Sequence, residues 1–119
     1  MTNTVALIGA GAMGGAIGER LLATGNRLFV FDLDKAKVEV LLAKGAIAMM
    51  SAAEAAGAAD YVILSLNSAA IVRRAVFGDG GVTAGARPGT LIIDMSSIDP
   101  ETTRQLATDA SEKGLRWVD

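Results

Sequence analysis

Short runs of uninterrupted apolar residues alternate along the chain with stretches whose apolar side chains recur every three or four positions. The first run is Thr4-Val5-Ala6-Leu7-Ile8. It is continuous rather than alternating and stops at Gly9, which predicts a strand buried on both faces. A helix is expected from Gly15 to Thr24, with Ile17, Leu21 and Leu22 on one side and Gly25 at its C-terminal end. Leu28-Phe29-Val30-Phe31 predicts a second strand ending at Asp32. Asp34 is placed to cap a second helix reaching about Lys44, with Val38, Leu41 and Leu42 inward.

The second half repeats the theme. Ala46 to Met50 predicts a weak third strand, and Ser51-Ala52-Ala53-Glu54 has the spacing of a capping box ahead of an Ala-rich helix. Tyr61 to Leu66 predicts the fourth strand, and Ser68 to Phe77 a helix with Ile71, Val72 and Ala75 inward. Gly78-Asp79-Gly80-Gly81 and Gly85 to Gly89 read as loops. Leu91 to Asp94 predicts the fifth strand. Asp99-Pro100-Glu101 opens another helix, with Pro at its first position and an acid in its first turn. Leu115 to Val118 predicts the sixth strand. Strands alternating with helices over short connections call for a parallel sheet with helices on both faces and right-handed crossovers. The expected class is therefore α/β, a doubly wound sheet of about six strands in one domain spanning residues 1–119.

The segment between the first strand and first helix is Gly9-x-Gly11-x-x-Gly14. Its context matches the mechanism of a dinucleotide loop. Gly9 permits the tight turn, Gly11 lets a pyrophosphate approach the backbone, and Gly14 lets helix and strand pack closely. The helix N-terminus then presents N–H groups and a partial positive charge to phosphate. The loop lacks the Gly-Lys-Ser/Thr of a P-loop. Asp32 ends the second strand 18 positions after Gly14, where a carboxylate accepts hydrogen bonds from the adenosine ribose and repels an added 2′-phosphate. NAD is thus expected over NADP. Lys35 and Lys37 follow and supply the lesser, NADP reading.

Composition narrows the chemistry. The chain has 119 residues, no His and no Cys. That excludes a Ser-His-Asp triad, an imidazole base, a thiol nucleophile and His- or Cys-ligated metal sites. Net charge is −2 at pH 7, which does not suggest a nucleic-acid surface. No apolar run approaches the roughly 20 residues of a membrane span. Met1-Thr2-Asn3-Thr4 does not resemble the start of a signal peptide, so a cytoplasmic location is expected.

With Gly9 to Gly14, Met13 and Asp32 assembled, the sequence resembles the β-hydroxyacid dehydrogenase family, which includes 3-hydroxyisobutyrate dehydrogenase, tartronate semialdehyde reductase and 6-phosphogluconate dehydrogenase. Asp60 to Leu66, Phe77 to Val82, and Asp94-Met95-Ser96-Ser97-Ile98-Asp99-Pro100 are similar to further family segments, the last to its D-x-S-T/S-x-x-P signature. The resemblance implies an N-terminal Rossmann-type NAD-binding domain. It implies that Gly9, Gly11, Ala12, Met13 and Gly14 hold the pyrophosphate. It places Leu66, Asn67 and Ser96 beside the cofactor's ribose and nicotinamide, and Ser96, with Ser97 as a further candidate, at the substrate. Asn67 stands where the family usually has Pro. Asp119 is similar to the first residue of the family's D-A-P-V-S-G-G segment. The family's catalytic lysine and helical dimerisation domain are expected beyond it, so no catalytic residue is assigned to Lys35, Lys37, Lys44 or Lys113. The implied reaction moves hydride between NAD and a small 3-hydroxy acid, in an enzyme that is a homo-oligomer at full length. Two alternatives stay open: a non-catalytic dinucleotide-binding module, and an NADP-dependent relative resembling the imine reductases.

Overall fold

The computed structural model describes residues 2–119. In chain order the elements are β1 (Thr4–Ile8), α1 (Ala12–Ala23), β2 (Arg27–Phe31), α2 (Lys35–Leu42), β3 (Ile47–Ala48), α3 (Ala52–Gly57), β4 (Tyr61–Leu64), α4 (Ala69–Phe77), α5 (Val82–Gly85), β5 (Leu91–Asp94), α6 (Pro100–Glu112) and β6 (Arg116–Val118). The strands form one six-stranded sheet in the order β3-β2-β1-β4-β5-β6, and every pairing is parallel. Strand order reverses between β1 and β4, and open α/β sheets bind ligands in the crevice outside such a switch point.

Two apolar layers sandwich the sheet, because the side chains of each strand alternate between its faces. Val5, Leu7, Leu28, Val30 and Ile63 pack with Val38 and Leu41 of α2, and with half-buried Ile17, Leu21 and Leu22 of α1. Ala6, Ile8, Val62, Leu64 and Ile92 face the other way. They meet the alanines of α3, Val72 and Val76 of α4, Val82 of α5, and Leu106 and Ala110 of α6. Continuous apolar runs fit this because both faces of each central strand are covered. A fully buried Leu or Ile stabilises the fold by about 1.5–3 kcal/mol.

The register sets the site. Ile8 pairs with Phe31 on one side and with Leu64 on the other, and Leu64 pairs with Asp94. Four strands therefore end in one row. The ladder runs one residue past that row: Gly9 N–H donates to Phe31 O at 3.0 Å, Ser65 N–H to Ile8 O at 3.0 Å, and Met95 N–H to Leu64 O at 2.8 Å. The loops that begin there start from fixed backbone.

Several expectations shift. α1 begins at Ala12 rather than Gly15, taking Gly14 into its first turn. β4 stops at Leu64, which frees Ser65, Leu66 and Asn67 as a loop. Leu42 is not inward but 38% exposed, since α2 turns only Val38 and Leu41 toward the sheet. Ile71 is likewise 39% exposed and faces the cleft described below. α5 is a single turn between two glycine loops, too short to show a helical period. Its Gly85 lies so close to α3 that an added Cβ would meet the Ala53 carbonyl. The Ser51 capping box forms with a displaced return bond: Ser51 Oγ accepts from Glu54 N–H at 3.0 Å, but Glu54 Oε1 accepts from Met50 N–H at 3.2 Å.

Candidate functional site

A cleft of about 460 Å³ opens over the carboxyl ends of β1, β2 and β4. Gly9 and Gly11 form its floor, Asp32, Leu33 and Lys37 one wall, and Leu66, Asn67, Ile71 and Arg74 the other. A second hollow, of about 350 Å³, lies at the opposite end of the sheet around Asp60, Arg87 and Arg116. Its arginines are engaged, Arg87 with Asp60 at 3.0 Å and Arg116 with Gly89 O at 2.9 Å. The row of strand ends makes the first cleft the candidate ligand site.

The glycine loop divides its labour. Gly9 has φ +100°, and a Cβ there would lie 2.2 Å from Ser65 O. A Cβ on Gly14 would lie 2.1 Å from Gly9 O, so this glycine lets α1 seat on the loop. Gly11 differs, because the nearest heavy atom to a Cβ there is Lys37 Nζ, at 4.0 Å. The protein does not need that space for its own packing; it is an open cradle. Gly11 is also the N-cap of α1 and supplies no side-chain oxygen. By contrast α2, α3, α4 and α6 are capped by the side chains of Asp34, Ser51, Ser68 and Asp99. The first N–H groups of α1 thus stay available to an anion, and the helix dipole favours one.

Asp32 faces this cradle and is tied to it. Its Oδ2 accepts from Ala10 N–H at 2.7 Å, and its Oδ1 accepts from Asp34 N–H at 2.8 Å. An ionised carboxylate has about four acceptor positions, so both oxygens keep capacity for a diol. On the far side, Ser96 Oγ accepts from Leu66 N–H at 2.9 Å, and Ser96 N–H donates to Asp94 Oδ1 at 2.9 Å. The Ser96 hydroxyl proton remains free to be donated.

Of the sequence candidates, the cleft gathers Gly9, Gly11, Asp32, Leu66 and Asn67. Gly14 is buried behind the loop; Ala12 and Met13 are exposed on the first turn of α1. Ser96 stands behind Leu66 rather than in the lining, and Ser97 is exposed on the same loop. Sequence reasoning missed Leu33, Ile71, Arg74 and the Asp79–Gly80 loop as cleft walls. Ile71 and Arg74 sit one helical turn apart after the Ser68 cap, a spacing that puts them on one stripe. The pattern cannot say which way that stripe points.

The residues present fit a dinucleotide: an open backbone cradle for the pyrophosphate, an uncapped helix N-terminus, and a carboxylate for a ribose. Comparison with known proteins agrees. Residues 4–119 match the family described as the NAD binding domain of 6-phosphogluconate dehydrogenase. The chain is 40% identical over 115 residues to 2-(hydroxymethyl)glutarate dehydrogenase of Eubacterium barkeri, covering 97% of this chain and 38% of that protein. Among solved structures it is similar to Mycobacterium tuberculosis 3-hydroxyisobutyrate dehydrogenase with L-serine, at a TM-score of 0.91 and 34% identity, over 98% of this chain and 39% of that one. It is also similar to an imine reductase from Myxococcus stipitatus in complex with NADP+, at a TM-score of 0.89 and 27% identity, over 96% and 39%. The chain spans about two-fifths of the length of the relatives it matches.

Proposed function

Because the chain belongs to the family of the 6-phosphogluconate dehydrogenase NAD-binding domain, we propose that it is the cofactor-binding part of an oxidoreductase acting on a small 3-hydroxy acid, of the 3-hydroxyisobutyrate or tartronate semialdehyde type. The observation that carries this reading is the open Gly11 cradle at the uncapped start of α1, facing Asp32 across one cleft. Gly9, Gly11, Ala12, Met13 and Gly14 form the pyrophosphate loop. Asp32 takes the adenosine ribose hydroxyls. Leu66 and Asn67 border the nicotinamide side, and Ser96, with Ser97 on the same loop, meets the substrate.

When bound, NAD supplies a hydride acceptor; the chain's own residues orient it. Ser96 offers a hydroxyl donor suited to a carboxylate. Proton transfer to or from the substrate oxygen needs a general acid–base. Lys37 is the lysine that lines the cleft, and it stands at the Asp32 side. The family resemblance implies a lysine for that proton, in the part of the relatives' length this chain does not span, and implies the helical contacts of a homo-oligomer there too. A cytoplasmic setting without nucleic-acid or membrane partners suits the acidic, cysteine-free sequence. Among the described residues, no helix is long and apolar enough to cross a membrane.

Lys37 favours one second reading, an NADP-dependent enzyme resembling the imine reductases, since its ammonium stands beside the phosphate loop. Asp32 opposes it through like charge with a 2′-phosphate. Calorimetric titration with NAD and NADP decides between them. NAD is expected to bind about tenfold or more tighter, a difference of about 1.4 kcal/mol, with no turnover of 3-hydroxy acids by this chain. Tighter NADP binding overturns the Asp32 assignment, and turnover overturns the assignment of proton transfer outside residues 1–119.

A further inference from the structure

Two buried side-chain polar atoms lack a hydrogen-bond partner among the described residues: Asp94 Oδ2 and the indole Nε1 of Trp117. One is an acceptor and the other a donor. Trp117 pairs with Ile92 across β5 and β6, and packs against the same apolar cluster as Ile92. Asp94 lies two residues further along β5, so it leaves the same face of the sheet. A spacing of about 4.8 Å between strands and a rise of about 3.3 Å per residue put the two groups within reach of an indole ring and one water. An unpaired buried carboxylate oxygen is costly, and native folds rarely leave one. A donor and an acceptor orphaned on one face of two adjacent strands account for each other.

The other half of Asp94 is committed to the site. Its Oδ1 accepts from Ser96 N–H, and Ser96 Oγ accepts from the N–H of Leu66, which lines the cleft. Asp94 is 3% exposed and not itself in the cleft lining, so it acts through Ser96. We propose that Asp94 is a positioning residue for the nicotinamide side of the cleft, held from behind by Trp117 through one bridging water. The connection runs from Trp117 to Asp94, to Ser96, to Leu66. It fixes the Ser96 loop against the end of β4 and leaves the Ser96 hydroxyl proton directed by a held backbone. It also ties the site to β6, a strand that touches no ligand group itself. This inference rests on the reading of Leu66 and Ser96 as nicotinamide-side groups.

The sequence contains one Trp, so a single indole N–H resonance reports on the connection in a ¹H–¹⁵N spectrum. The test uses this chain with NAD and with ADP-ribose, which lacks the nicotinamide. Asp94→Asn keeps an acceptor for Ser96 N–H but turns an amide donor toward the indole side. It is expected to move the indole resonance and weaken NAD binding about tenfold, the loss of one ordered hydrogen bond, while ADP-ribose binding stays unchanged. Trp117→Phe, an apolar replacement, is expected to reproduce that loss, and it serves if Asp94→Asn does not fold. An indole resonance unmoved by Asp94→Asn overturns the proposal. Equal losses for both ligands also overturn it, because a merely structural role affects both alike. Ser96→Ala separates the premise: unchanged selectivity for NAD over ADP-ribose removes the nicotinamide-side reading, and the positioning role with it. The indole shift then still decides whether Asp94 and Trp117 are linked.

Discussion

Three glycines in one loop do different work, and substitution separates them. Gly11→Ala adds a methyl where, apart from its immediate chain neighbours, no heavy atom of the protein lies closer than 4.0 Å. It is expected to leave the melting temperature unchanged and to abolish detectable NAD binding, as read by calorimetry. Gly14→Ala puts a Cβ against Gly9 O, so it is expected to lower both the melting temperature and the affinity. The spacing made these roles legible because each depends on the absence of a Cβ at a local turn. Asp32 was legible only in part. Its place at a strand end is local, but its 2.7 Å bond to Ala10 N–H joins residues 22 positions apart and exists only once β1 and β2 pair. Asp94 and Trp117 carry no sequence signal of partnership for the same reason.

Helix starts marked by a capping side chain were readable. Asp34, Ser51 and Asp99 cap as their positions suggest, each accepting from an N–H of the first turn; Ser68, read as the first helical residue, is the N-cap of α4, and the start of α1, which has no side-chain cap, lies three residues before the expected one. Asp99 also accepts from the Thr102 hydroxyl at 2.7 Å, and these bonds hold its carboxyl below its usual pKa. A lowered pKa stabilises the fold above the unfolded-state value, and that contribution is lost as pH falls through the folded-state value. Asp99→Ala is therefore expected to lower the melting temperature at neutral pH, with the gap to the parent closing in acid; a gap independent of pH contradicts this origin. Helix faces were less readable. Leu41 and Leu42 are adjacent leucines, yet one is 1% and the other 38% exposed. Leu41→Ala is expected to cost about 2–5 kcal/mol in denaturant unfolding, and Leu42→Ala far less. The hydropathy of two neighbouring leucines is identical; only the angle at which α2 meets the sheet distinguishes them.

For the whole molecule, binding and stability are linked. A ligand that binds only the folded chain stabilises it by mass action, by about 2.7 kcal/mol at 100 times its dissociation constant. NAD is expected to raise the melting temperature of the parent chain in this way and to leave that of Gly11→Ala unmoved. The alternation of apolar runs and helical periods, the glycine spacing and the acid at the end of β2 were enough to determine an α/β sheet with a tight glycine turn between β1 and α1, because each follows from backbone geometry within a few residues. Strand order, register and the row formed by Phe31, Ile8, Leu64 and Asp94 were decided by the tertiary structure alone. So were the turning of Ile71 and Arg74 into the cleft, the placing of Ser96 behind Leu66, and the setting of Asp94 and Trp117 on one face of adjacent strands. These depend on which strands lie side by side, a property of packing between segments far apart in the chain.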